Sequence, residues 1–154
     1  MTEIANLVQV RADGKVLPAS MTVNQILALG LPPCKTTALR WINAAKLIEV
    51  SAPHGVHGIV VTGDRFVAAI FAEDEQGAST RLAILSPDGF ELGTLANEVE
   101  VSGRRFSGHY DWFEPAMVDM PSTFGVVFQT KTEGALRCDI DASDRRVSRV
   151  IRIR

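Results

Sequence analysis

A chain of 154 residues, 46% of them hydrophobic, with a formal net charge of −2, has the size and make-up of one globular domain. At this length about 70% of the unfolded surface can be buried, so the core needs no disulfide or metal. The near-neutral charge excludes a whole-molecule attraction for nucleic acid or anionic membrane, and no apolar run approaches the ~20 residues of a bilayer-spanning helix.

The opening "MTEIANLVQV" lacks the basic, apolar and cleavage regions of an export signal, so a cytoplasmic location is expected. In that setting Cys34 and Cys138 are expected to be reduced and unbridged.

In chain order, residues 7–18, "LVQVRADGKVLP", predict a hairpin around Asp13-Gly14, a dipeptide that tolerates a tight turn. Thr22 with Gln25 forms a capping-box pattern, and Gly30 suits a helix end, which predicts a helix over about 23–29. "LPPCK" then breaks the chain, because neither proline can donate a backbone hydrogen bond. Residues 36–50, "TTALRWINAAKLIEV", open with Thr36 as a second cap. Leu39, Trp41, Ile42, Ala44, Ala45, Leu47 and Ile48 form an apolar stripe, while Arg40, Asn43 and Lys46 lie opposite, which predicts an amphipathic helix of about three turns.

Residues 52–58, "APHGVHG", are a loop by composition. From Ile59 the pattern is strand and turn: 59–61, 65–72, 81–85, 90–95, 98–102, 104–110, 124–130, 136–142 and 146–153 are the predicted strands, punctuated by Gly and Asp turns. Phe66, Ile70, Arg81, Ile84 and Asp88 align with Phe124, Phe128, Arg137, Ile140 and Asp144, so two similar blade-like hairpin units are expected. The runs Phe66–Ala72 and Leu82–Leu85 do not alternate, so these strands are expected to be covered on both faces. The expected fold is a single α+β domain over 1–154, mainly β. A hairpin and two short helices occupy 1–51, and an antiparallel meander or sandwich occupies 59–154.

"MTVNQILALGLPPCKTTALRWINAAKLIEV" resembles the helix-turn-helix of the excisionase and MerR-type winged-helix family. Thr22 would open the first helix, Gly30 would make the turn, and Thr37, Arg40-Trp41-Ile42 and Lys46-Leu47 would fall on the second helix, with 49–62 as the wing. The resemblance implies DNA binding through Lys35, Arg40, Asn43 and Lys46. Arg11, Lys15, Lys35, Arg40 and Lys46 against Asp13 give that region a local positive excess, which phosphate contacts need. The hairpin with "TVNQILALGL" also resembles the start of a β-grasp carrier protein, without the terminal Gly-Gly that carries that family's chemistry.

"GHYDWFEP" packs His109, Tyr110, Asp111, Trp112, Phe113 and Glu114 together. Strict alternation would put His109, Asp111 and Phe113 on one face and Tyr110, Trp112 and Glu114 on the other. Aromatic groups beside polar ones suit a ligand pocket or an interface, and His109 with Asp111 could act as an acid–base pair. His54 and His57 form H-x-x-H, which falls short of the ligand set of a zinc site, so neither metal nor cofactor is expected. "DIDASD" (139–144) departs from a calcium loop at Asp144 and Val150 and reads as a strand entering an aspartate turn. Five arginines close the chain in "RRVSRVIRIR", as the solvated face of an edge strand. The function these features favour is a non-enzymatic binding module for a small molecule or protein, in a homo-oligomer or alone. A DNA-binding regulator is the second reading and a small His/Asp enzyme the third.

Overall fold

Asp13-Gly14 turns the chain as its composition demands: the Asp13 carboxylate accepts from the Lys15 backbone N–H at 3.0 Å, and Gly14 takes φ 87°. In the computed structural model, which describes residues 4–153, this turn joins β1 (Ile4–Arg11) to β2 (Val16–Pro18). The capping box then forms around α1 (Val23–Ala28), and Gly30 follows with φ 71°.

Residues 36–50 do not form a helix. β3 (Thr36–Asn43) and β4 (Lys46–Ser51) make a hairpin with Trp41 opposite Ile48 and Asn43 opposite Lys46. Among the described residues α1 is the one helix, so the second helix expected here, and the reading helix of the winged-helix resemblance with it, is replaced by two strands. The physical reason lies in tertiary burial. Leu39, Trp41 and Asn43 point to one side at period two and are buried, which outweighs a 3.6-residue pattern completed by exposed Ile42 and Leu47. The turn is Ala44-Ala45, with φ 51° and 63°, where neither residue is glycine or asparagine. Left-handed alanines are strained by about 1–2 kcal/mol each. Ala44→Asn with Ala45→Gly is therefore expected to raise stability by about 1 kcal/mol, read as a higher urea midpoint at unchanged slope.

The remaining elements are all antiparallel strands: β5 (Val56–Val60), β6 (Val67–Ala72), β7 (Thr80–Leu85), β8 (Glu91–Thr94), β9 (Glu98–Val101), β10 (Arg104–Glu114), β11 (Thr123–Thr130), β12 (Ala135–Asp141) and β13 (Arg146–Ile153). They assemble into three sheets, ordered β2-β1-β3-β4, β5-β6-β7-β8 and β13-β12-β11-β10-β9. The two similar units of the sequence are the meanders β6-β7-β8 and β11-β12-β13. In the five-stranded sheet the edges β9 and β13 curl toward each other, so it is nearly closed like a barrel. An open groove of about 550 Å³ between them is lined by 100–103 and 147–150.

The middle sheet is covered on both faces, as its unbroken apolar runs require. Val67, Ala69, Phe71, Ala83 and Leu85 pack with Leu39, Trp41 and Ile48 of the first sheet. The intervening Ala68, Ile70, Leu82 and Ile84 pack with Phe106, Tyr110, Val126, Phe128 and Ile140 of the third. Each fully buried Leu, Ile or Phe stabilises by roughly 1.5–3 kcal/mol relative to exposure. Small alanines at 68, 69 and 83 let the layers approach. Between the first two sheets, Gly58 leaves room for the Leu39 side chain: a Cβ there would lie 2.5 Å from Leu39 Cδ1, which would have to shift.

Candidate functional site

β10 carries the densest chemical patch, and a bulge decides how it is displayed. Tyr110 pairs with Phe128 and Trp112 with Val127, so Asp111 is the extra residue. The bulge shifts the parity of the strand. Tyr110 and Phe113 both face the core, while Trp112 and Glu114 face outward together. Strict alternation is thereby corrected.

Tyr110 is wholly buried, its ring edge-on to Phe128 at 5.0 Å and its hydroxyl donating to the Ala96 carbonyl at 3.1 Å. Burial pushes its phenol well above the ordinary value, so it is a structural hydrogen-bond donor. Phe113 meets Phe124 edge-on at 5.8 Å. Trp112 is 45% exposed and donates from Nε1 to Glu114 Oε1 at 2.9 Å. His109 lines a different feature, an open cleft of about 830 Å³ between the ends of the second and third sheets, with Ser79, Asn97, Glu98, Ser107 and Lys131. The six residues are therefore brought onto one strand but not into one pocket.

The carboxylate of Asp111 acts on His57 of β5. His57 is exposed at its outer edge, but the protein atoms packed round the rest of the ring desolvate it and hold the imidazole below its ordinary 6.5, and the Asp111 charge pulls it back upward. Its unfolded form therefore binds a proton more readily, so His57 makes the fold less stable as pH falls below 6.5. Histidine NMR titration is expected to find the His57 midpoint below 6.5, and lower again in Asp111→Asn. His54 lies in the preceding loop, and among the described residues no three His, Cys, Asp or Glu side chains gather as a metal-binding group.

The outer face of the third sheet is partly roofed by residues 115–122. Asp139, buried in β12, accepts from the Met117 and Val118 backbone N–H groups at 2.8 and 3.1 Å. Arg137 donates to the Pro115 carbonyl at 2.6 Å. Next to Asp139, burial pushes the Cys138 thiol up to about 12, so this cysteine is an inert packing residue. Asp141 closes the β12–β13 turn by accepting from the Ser143 and Asp144 N–H groups at 2.9 and 3.3 Å, the aspartate turn that "DIDASD" predicts.

The four residues tied to DNA recognition are dispersed by the hairpin. Asn43 is buried and donates to Asp88 at 2.9 Å. Arg40 is paired with Glu49 across the strands. Lys35 donates to the Glu75 carbonyl at 2.7 Å, and Lys46 is exposed at the turn. Of the C-terminal arginines, Arg146 lies 3.7 Å from Asp144, and Arg152 lies 3.6 Å from Glu133 and over the Phe106 ring. Arg154 lies outside the described residues.

One apolar surface carries no chemical motif. α1 buries none of its residues, and Val23, Leu27 and Leu29 are 72%, 58% and 57% exposed. The sequence signal for it is an absence: no residue between Lys15 and Lys35 is charged.

No family model matches the chain, and no curated protein matches it. Over 98% of its length it is similar to a chain in the solved structure of Tne2 in complex with Tni2, with a TM-score of 0.90, 31% identical residues and 99% of that chain covered. With that identity over nearly the whole of both chains, the protein belongs to the same family as that chain of the Tne2–Tni2 complex.

Proposed function

We propose that the protein is a small protein-binding module that works by forming a stoichiometric complex with a partner protein. The observation that carries this reading is the match, along essentially the full length, to a chain found in a two-protein complex. The build of the molecule supports it. Three stacked sheets give a stiff body whose surface is set before any encounter, so little ordering cost falls on binding. A standard interface takes about 800 Å² from each partner. That is under a tenth of the 8718 Å² exposed here, so a single face suffices.

The test is capture with the full chain as bait from an extract of its native host, followed by expression of the captured protein and titration of the two purified components. The expected result is a one-to-one complex by sedimentation, with a dissociation constant at or below about 1 μM. A bait that retains no protein beyond a heat-denatured control contradicts the proposal.

A further inference from the structure

We infer that the partner grips the uncharged arm running from Ala19 to Cys34, and that this arm seats in an uncharged, apolar cleft of the partner protein. The inference rests on the protein-binding reading above and names the surface and the chemistry it recognises.

Folding does not account for this arm. Val23, Leu27 and Leu29 lie outside both buried clusters and remain more than half exposed. Such residues in one short segment are an association liability unless something covers them. A six-residue helix is too short to persist alone, yet this one is held in shape. The Thr22 N–H donates to Gln25 Oε1 at 2.8 Å, and the Gln25 N–H donates to Thr22 Oγ1 at 3.2 Å. Its roots are tied as well. The Ala19 N–H donates to the Leu7 carbonyl at 3.1 Å, and buried Arg11 donates to the Pro32 carbonyl at 2.5 Å. The arm is thus presented in a fixed form, which lowers the cost of docking it.

Charge selects the occupant. In a chain with 22% charged residues, nothing between Lys15 and Lys35 carries a charge. A nucleic acid or an anionic bilayer would require Lys or Arg here. A charged protein cleft would lose hydration against this arm with no opposite charge in return. An apolar cleft gives up no charge hydration of its own and gains buried area against Val23, Leu27 and Leu29. The apolar surface also continues past the root, where Pro18 and Ala19 border a recess of about 520 Å³ with Leu7, Ile59 and Val60.

The experiment uses the full chain and the reconstituted partner protein. Leu27→Asp combined with Leu29→Asp is compared with Leu47→Asp, which places one such charge at a 68% exposed site in β4, beside the β3–β4 turn. Urea midpoints confirm that each variant is folded. The double variant is expected to bind about a hundredfold more weakly, and Leu47→Asp within about twofold of the parent. If the double variant binds like the parent, the arm is not the interface, while the protein-binding reading stands. If the parent forms a dimer that Leu27→Asp with Leu29→Asp dissolves, a second copy is the occupant and the inference is overturned. Arm-dependent retention on vesicles of equal parts phosphatidylcholine and phosphatidylglycerol overturns it in favour of a bilayer. A parent chain with no protein partner removes the reading beneath it.

Discussion

Trp41→Ala is expected to lower the unfolding free energy by about 3–5 kcal/mol, a large share of the roughly 5–15 kcal/mol that holds a domain folded. Trp41 is 0% exposed and fills the space between the first two sheets beside Leu39, Ile48 and Leu85. Its indole N–H also donates to the Pro87 carbonyl at 2.6 Å, so truncation opens a cavity and strips an acceptor of its donor. Trp41→Phe keeps most of the volume and is expected to lose about 1–2 kcal/mol. Urea unfolding measures both, and fluorescence separates the two tryptophans. Removing Trp41 leaves the 45% exposed Trp112, so emission should shift to the red and iodide should quench it more strongly. A Trp41→Ala chain that unfolds at the parent's urea concentration would remove the interface between the first and second sheets from this account.

Gly108→Ala is expected to destabilise by about 3 kcal/mol or more, at the upper end of overpacking costs. Gly108 faces β11, and a Cβ there would lie 2.0 Å from the Gln129 carbonyl oxygen and 2.9 Å from its carbon. Backbone cannot swing aside as a side chain can, so the β10–β11 pairing must open. The comparison is Gly103→Ala, at the β9–β10 turn with φ 82° and nothing within 4 Å, where the left-handed backbone alone opposes the change, by about 1–2 kcal/mol. Equal losses at the two positions, measured by urea midpoint, would contradict the close pairing of β10 and β11.

The central sheet was legible in the sequence because its physics is local. A strand buried on both faces must be apolar at every position, and Phe66–Ala72 and Leu82–Leu85 carry that pattern without interruption. The capping box at Thr22 and Gln25 and the Asp13-Gly14 hairpin were legible for the same reason. The β3–β4 hairpin was hidden by two things. Ala44-Ala45 takes a turn that normally advertises itself with Asn or Gly, and exposed Ile42 and Leu47 interrupt the alternation that buried Leu39 and Trp41 establish. In β10 the error was one of parity. A single extra residue at Asp111 turns Phe113 into the core beside Tyr110, and a bulge has no marker in the residues themselves. The arm is legible in part: the capping box marks its helix, but the exposure of its leucines depends on what the rest of the chain leaves uncovered, which no local pattern reports.

Amide hydrogen exchange on the free full-length chain tests the layered scaffold most directly. Exchange is expected to be slowest in Val67–Ala72 and Thr80–Leu85, at rates set by global unfolding, and faster in the edge strand Glu91–Thr94. Protection in Val67–Ala72 no greater than in the edge strand Glu91–Thr94 would mean that this sheet is not sealed on both sides, and the account of the fold would fail with it.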